Sequence, residues 1–180
     1  MWQDVSEARG RGRGDRELAI LFTDLVEFSS WALEAGDDAA LELLRDVGQA
    51  VEPPVKRRKG QVVKCLGDGM MAVFDDTRSA LDAAFEASRA LEEVEAEGYE
   101  PRLRAGLHVG RPRRLGGDYL GVDVNVAARV AEEAKGNELL VSDRALEHLD
   151  RDAVKVGRSR KVKVKGVPKD VSAAPVRPSG

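Results

Sequence analysis

The sequence predicts an α+β domain: a ferredoxin-like, palm-like βαββαβ core with α/β elements added on its C-terminal side. Three observations predict it. Short apolar runs of strand length alternate with longer stretches whose apolar residues recur at helical spacing. Two of the strand-length runs are separated only by Gly67-Asp68-Gly69, a hairpin signature. The elements follow one another as β-α-β-β-α-β, the split βαβ plan.

Residues 1–16, with Gly and Arg alternating at 10–14, read as a flexible lead-in; 17–170 read as the domain and 171–180 as a tail. Glu17–Asp24 is the first strand. Asp37 and Asp38 are candidate caps for a helix carrying Leu41, Leu44, Val47, Val51 and Val55, which Pro53 and Pro54 should end or kink. Gln61–Leu66 and Met70–Phe74 form the hairpin. Thr77 is the expected cap of a helix with Leu81, Ala84, Phe85, Ser88 and Leu91 on one face. Arg102–Val109 reads as a strand and 111–117 as a basic turn. The stretch 121–135 is a helix through Val126, Ala127, Val130 and Ala131. Glu138–Val141 is a strand, Ser142 caps a short helix, and the basic segment beyond it reads as two short strands.

The chain has 180 residues, one ordinary domain, of which 42% are apolar and 34% charged, as in a soluble globular protein. A net charge of −3 points away from nucleic-acid and membrane partners. Cys65 is the only cysteine, so no intrachain disulfide forms and a reducing compartment is expected. No apolar run approaches the roughly 18 residues of a membrane span, and the first residues lack the apolar stretch of a secretory signal. A cytoplasmic location is expected. One asymmetry stands out: from Ala153 to Lys169 there are seven basic residues and no acidic one, which suits either a solvated strand pair or a surface that meets a polyphosphate.

Two aspartates sit where chemistry is possible. Asp24 ends the first strand and Asp68 occupies the hairpin tip, so in a split βαβ sheet the two carboxylates converge at one end. That makes a site for Mg²⁺, which takes one or two carboxylates plus substrate phosphates. Taken alone, Asp68 also suits a plain turn. The segment after Asp24, Leu25-Val26-Glu27-Phe28-Ser29, leads from strand to helix, and free N–H groups at a helix start bind phosphate. Asn125 and Arg129 lie four apart and share a helix face. An arginine there stabilises the charge of phosphoryl transfer, and an asparagine orients a hydroxyl.

Between about Glu17 and Lys165 the sequence resembles the class III adenylyl and guanylyl cyclases, through four motifs in family order. They are Phe22-Thr23-Asp24-Leu25-Val26, Lys64-Cys65-Leu66-Gly67-Asp68, Asp118-x-x-Gly-x-x-Val-Asn125 with Arg129, and Lys165-Gly166. The resemblance implies conversion of ATP to 3′,5′-cyclic AMP and pyrophosphate. It implies that Asp24 and Asp68 hold two divalent ions, Mg²⁺ or Mn²⁺, that Asn125 orients the ribose, and that Arg129 stabilises the transition state. Lys165 would contact the terminal phosphates, and the backbone of Leu25, Val26, Glu27 and Phe28 would cradle the β and γ oxygens. Lys64 and Asp118 would read adenine, a lysine donating to N1 and an aspartate accepting from N6. The family's guanylyl enzymes use a glutamate and a cysteine instead. Strand alternation points Cys65 away from Lys64, and it is expected in the core.

The sequence departs from the family twice. Glu27 stands where a glycine is usual in the phosphate-binding turn, and the arm at 110–117 is several residues short. The family's site is composite, with the metal aspartates from one subunit and the remaining groups from the other. A homodimer is therefore implied, and the short arm should make it weak or substrate-promoted. The competing readings are a catalytically silent nucleotide-binding or regulatory module and a guanylyl cyclase. The Gly-Gly-acidic-acidic-Phe hairpin of diguanylate cyclases is absent. His108 reads as an ordinary strand residue, His148 as surface, and Arg111, Arg113 and Arg114 as solvated turn residues.

Overall fold

The computed structural model describes residues 16–180, so the expected lead-in lies, apart from Arg16, outside the described residues. The described residues fold as one eight-stranded sheet covered on both faces. Strand β1 (Leu18–Leu25) is followed by helices α1 (Phe28–Ala35) and α2 (Asp37–Arg57). The hairpin β2 (Gln61–Leu66) and β3 (Gly69–Phe74) leads to α3 (Thr77–Leu91) and β4 (Leu103–Gly110). A small separate ribbon, β5 (Arg113–Leu115) and β6 (Asp118–Leu120), precedes α4 (Val122–Glu133). Strand β7 (Leu139–Ser142), the single turn α5 (Asp143–Leu146), β8 (Val154–Val156), β9 (Arg160–Val162) and β10 (Val171–Pro178) complete the chain.

The sheet order is β2-β3-β1-β4-β7-β10-β8, with β9 also paired to β10. The first four strands are antiparallel and form the expected split βαβ core; β4 and β7 run parallel. The alternation of β1 sets the layers. Ala19, Leu21 and Leu25 join the core under α2 and α3, while Leu18 and Ile20 face the opposite side with Val124 and Ala127 of α4. Helix α4 lies so close to β4 that a Cβ on Gly106 would sit 2.2 Å from the Ala131 nitrogen, which only glycine allows. Among the described residues, no helix is long and apolar enough to cross a membrane.

Four local expectations are corrected. Pro53 and Pro54 lie inside α2, whose last turn continues to Arg57 because Pro54 and Val55 are buried against the core. The cap of α3 is Asp76 rather than Thr77: its carboxylate accepts from the Ser79 N–H at 2.9 Å, and Thr77 is buried in the first turn. The start of α2 is Gly36, with Asp37 and Asp38 in the first turn. Residues 171–178 are no tail. They form β10, which inserts between β7 and β8 and buries Ala173, Ala174 and Val176. Pro175 is tolerated in that strand, its carbonyl accepting from the Gly157 N–H at 2.8 Å.

Candidate active site

The end of β1, the hairpin tip and the start of α1 meet at one end of the sheet's inner strands. The Asp68 carboxylate accepts a hydrogen bond from the Leu25 N–H at 3.1 Å, which fixes it one residue from Asp24. The tip packs tightly against β1, since a Cβ on Gly69 would lie 2.9 Å from the Thr23 carbonyl. The two aspartates thus sit at the same end of the sheet, and a Cβ on Gly69, next to Asp68, would lie 3.6 Å from the Asp24 Cβ. Among the described residues no group of three or more His, Cys, Asp or Glu is disposed to hold a metal. A pair of carboxylates nevertheless suits a divalent ion that draws its other ligands from water and phosphate.

Asp24 already has a cationic partner that sequence reasoning missed. Arg104, directly opposite it in the β1–β4 register, reaches it through Nε and through Nη2, the latter at 2.9 Å. Its Nη1 donates to the Glu132 carbonyl at the end of α4 at 3.0 Å. The signal for it was only the alternation of β4, and the partner lies 80 residues away.

The turn after Asp24 is built around its backbone. Leu25 and Phe28 are buried, Val26 is half-buried and Glu27 is exposed. The Val26 N–H donates to the Arg102 carbonyl at 3.1 Å, and the Tyr99 hydroxyl donates to the Val26 carbonyl at 2.5 Å. Burial, then the nearby carboxylates led by Asp68, push the Tyr99 phenol up to about 12, with Arg102 opposing, so it stays a donor. Tyr99 also stacks on Trp31, ring centroids 5.2 Å apart. Glu27 adopts φ 57, ψ 18, a left-handed conformation that suits glycine, and its side chain caps no N–H of α1. The departure at position 27 therefore falls where the backbone is strained.

On the edge of the same sheet, Lys64 Nζ meets Asp118 Oδ2 at 3.1 Å. The pair bridges β2 to the β5–β6 arm, and both side chains remain accessible, at 34% and 41% exposed. Lys64, then the Tyr119 N–H, holds the Asp118 carboxyl below the usual carboxylate range. Cys65 does point away from Lys64, but it is exposed rather than in the core. It lies near the end of an edge strand, where its thiol faces Glu52 of α2 at 3.5 Å; partial desolvation, then Glu52, raises its pKa.

Asn125 and Arg129 share the outer face of α4. Arg129 donates through Nε to the Lys163 carbonyl at 3.1 Å and pairs with Glu133 at 2.7 Å. From β9 onward the chain alternates, burying Val162 and Val164 and exposing Lys161, Lys163 and Lys165. Lys165 thus belongs to a basic stripe beside Arg129. Among the described residues, no hydrogen bond or ion pair joins Asn125, Arg129 or Lys165 to Asp24 or Asp68 in one chain.

His108, expected as an ordinary strand residue, is buried with both ring nitrogens engaged. Nδ1 lies 2.7 Å from the Ser142 hydroxyl and Nε2 lies 3.0 Å from the Asp123 carboxylate.

The sequence matches the adenylate and guanylate cyclase catalytic domain family over residues 13–174. It is 34% identical over 143 residues to a pH-sensitive adenylate cyclase of Mycobacterium tuberculosis, covering 76% of this chain and 33% of that protein. It is 31% identical over 137 residues to an adenylate cyclase of Streptomyces coelicolor, again covering 76% of this chain and 35% of the relative. The chain thus spans about a third of the length of these relatives. Among solved structures it resembles the guanylyl cyclase Cya2 with a TM-score of 0.82 at 23% identity, covering 92% and 93% of the two chains. It resembles the adenylyl cyclase CyaB from P. aeruginosa with a TM-score of 0.77 at 19% identity, covering 91% and 95%. At these identities the structural likeness speaks for the fold.

Proposed function

The chain belongs to the adenylate and guanylate cyclase catalytic domain family, and from that premise we propose that it converts ATP to 3′,5′-cyclic AMP and pyrophosphate in a site shared between two copies of itself. One observation carries the choice of ATP: Lys64 and Asp118, far apart in sequence, come together as an accessible donor and acceptor. A lysine that donates to N1 and an aspartate that accepts from N6 match adenine and mismatch guanine.

Two divalent ions, Mg²⁺ or Mn²⁺, held by Asp24 and Asp68 would supply Lewis-acid charge that acidifies the ribose 3′-hydroxyl and neutralises the triphosphate. The protein's own work is positioning and charge stabilisation. In the proposed site the 3′-oxygen bonds to the α-phosphorus as the bond to pyrophosphate breaks, with one proton released. Of the expected cradle Leu25–Phe28, the Glu27 and Phe28 N–H groups at the start of α1 receive the β and γ oxygens, since the Leu25 and Val26 N–H groups are taken by Asp68 and the Arg102 carbonyl. From the other copy, Asn125 orients the ribose, Arg129 meets charge developing on the α-phosphate, and Lys165 meets the terminal phosphates. Exposed Leu115, Leu120 and Val122 around the arm, with Leu66 at the hairpin, supply apolar surface for the second copy. Arm strands of three residues each bury little, which fits a weak or substrate-promoted dimer.

A catalytically silent nucleotide-binding module is the second reading, favoured by the ion pair on Asp24 and by the carboxylate of Glu27 in the phosphate-binding turn. One assay decides between them. Purified protein with Mn²⁺ and either ATP or GTP should yield cyclic AMP from ATP, and the product should vanish in Asp24→Ala and Asp68→Ala. Mixing Asp24→Ala with Arg129→Ala chains should restore activity if the site is shared. Absence of product at high protein concentration would favour the silent module.

A further inference from the structure

The buried cluster around His108 is unused by the chemistry above. Ser142 is 0% exposed and His108 5%, so the Ser-His-Asp row resembles a nucleophile relay yet no substrate can reach the hydroxyl. Its hydrogen bonds are instead complete. An ionised Asp123 only accepts, so His108 carries its proton on Nε2 and donates it to Oδ1. Nδ1 is then an acceptor and takes the Ser142 hydroxyl proton, while the Ser142 oxygen accepts from the Ala145 N–H at 3.3 Å as the cap of α5. The other Asp123 oxygen accepts from the Arg111 N–H at 2.8 Å. A Cβ on Gly110 would lie 2.1 Å from the Asp123 carboxyl carbon, so the carboxylate rests against the end of β4.

Asp123 occupies the first turn of α4, two residues before Asn125 and six before Arg129. Helix α4 begins at a glycine with no side-chain cap, and the Asp123 contacts to His108 and Arg111 join its first turn to the sheet and to the root of the arm. We propose that His108 and Asp123 are positioning residues that clamp the start of α4 onto β4 and thereby set the place of Asn125 and Arg129 in the shared site. The proposal deepens the cyclase reading and rests on it for its catalytic consequence. The clamp itself rests only on the geometry.

The chemistry also makes the clamp sensitive to acid. The ionisable groups facing His108 are Asp123 from α4 and Arg144 from α5, while β1 presents the apolar Ile20 across the strand. A second proton would go on Nδ1, where it faces a hydroxyl already accepting from Ala145. The hydroxyl proton would then have to leave Nδ1 and find another acceptor inside a sealed site. Burial, with Arg144 adding to it and Asp123 opposing, lowers the His108 pKa, which keeps the neutral form in place near neutrality.

The test uses the full chain, Asp123→Asn and His108→Gln. The first places an amide NH₂ against groups that donate to it, and the second keeps a donor toward Asp123 while removing the acceptor for Ser142. Asp123→Asn should lower kcat for ATP with Mn²⁺ about 10–100-fold and leave KM within about twofold, the pattern of a lost transition-state arrangement. Amide hydrogen exchange over 122–129 should quicken about tenfold while β4 amides keep their rates. His108→Gln should fall between the two and lose the acid limb of the wild-type kcat profile, and it carries the comparison if Asp123→Asn does not fold. Folded variants with kcat within about twofold of wild type and unchanged exchange in α4 would overturn the proposal. Loss of activity without faster exchange in α4 would overturn it as well. A wild-type chain that makes no cyclic product sinks the cyclase reading, and exchange in α4 then decides the clamp alone.

Discussion

Arg104 and Asp24 face each other in register across β4 and β1, and the guanidinium closes on the carboxylate through two nitrogens. The positive charge beside the proposed metal carboxylate is therefore part of the fold. A divalent ion arriving at Asp24 competes with it.

Removing that competitor has an expected sign. Arg104→Ala removes the guanidinium bonded to Asp24, so stability in a chelator should fall by about 1–3 kcal/mol, the cost of stranding a partly buried charge. Mn²⁺ should then raise the melting temperature of Arg104→Ala by more than it raises that of wild type, because binding to the folded state alone stabilises by mass action. Equal Mn²⁺ shifts in the two proteins would show that the ion does not meet Asp24.

Lys64 and Asp118 form the pair on which base choice rests. Exchanging their chemistry for Lys64→Glu with Asp118→Cys places an acceptor where adenine needs a donor. The ratio of kcat/KM for ATP over GTP should fall by about 10–100-fold, as mispaired polar groups in a binding site cost on the order of 1–3 kcal/mol. Initial rates with each nucleotide measure it. An unchanged ratio would place base recognition elsewhere.

Glu27 tests the strained turn. Glu27→Gly relieves the cost of a left-handed residue, about 1–2 kcal/mol, offset in part by the greater freedom of glycine in the unfolded chain. The melting temperature should rise by about 1–4 °C. Glu27→Gln keeps the strain and removes the charge, so it should lower KM for ATP without that stability gain. If both variants bind ATP as the wild type does, the carboxylate points away from the phosphates.

The core was legible because its strands are continuous apolar runs and its helices carry clean periodicity, so order and pairing follow from sequence alone. Strand β10 was not, because Pro175 and Pro178 broke the strand signal while pairing with β7 and β8 supplied the burial that propensity lacked. That Asp24 and Asp68 lie at one end of the sheet was legible from strand end and turn, and the meeting of Lys64 with Asp118 from the resemblance. Arg104, Tyr99 and Asp123 were not legible, since each acts on a residue between 15 and 80 positions away through strand register or helix packing. Cys65 was misplaced because alternation gives the face of a strand but not whether a helix covers that end of it.

The burial of His108 carries a pH prediction whose sign follows from proton counts. Its folded pKa lies below the ordinary 6.5, so between those two values the unfolded chain binds the proton and the folded one does not. Stability from this group is fully present above about pH 6.5 and is lost as pH falls toward the folded value, with a slope of at most about 1.4 kcal/mol per pH unit. Asp123 is also depressed: burial raises its carboxyl, but the Arg111 N–H, His108 and Arg144 more than offset that. Its contribution is therefore lost only below the ordinary 3.8, a separate and lower window. Urea midpoints measured between about pH 7.5 and 5 should decline for wild type and stay flatter for His108→Gln. Equal slopes in the two proteins would mean that another group carries the acid sensitivity. A slope abolished together with faster exchange at the start of α4 would tie that sensitivity to the helix that presents Asn125 and Arg129.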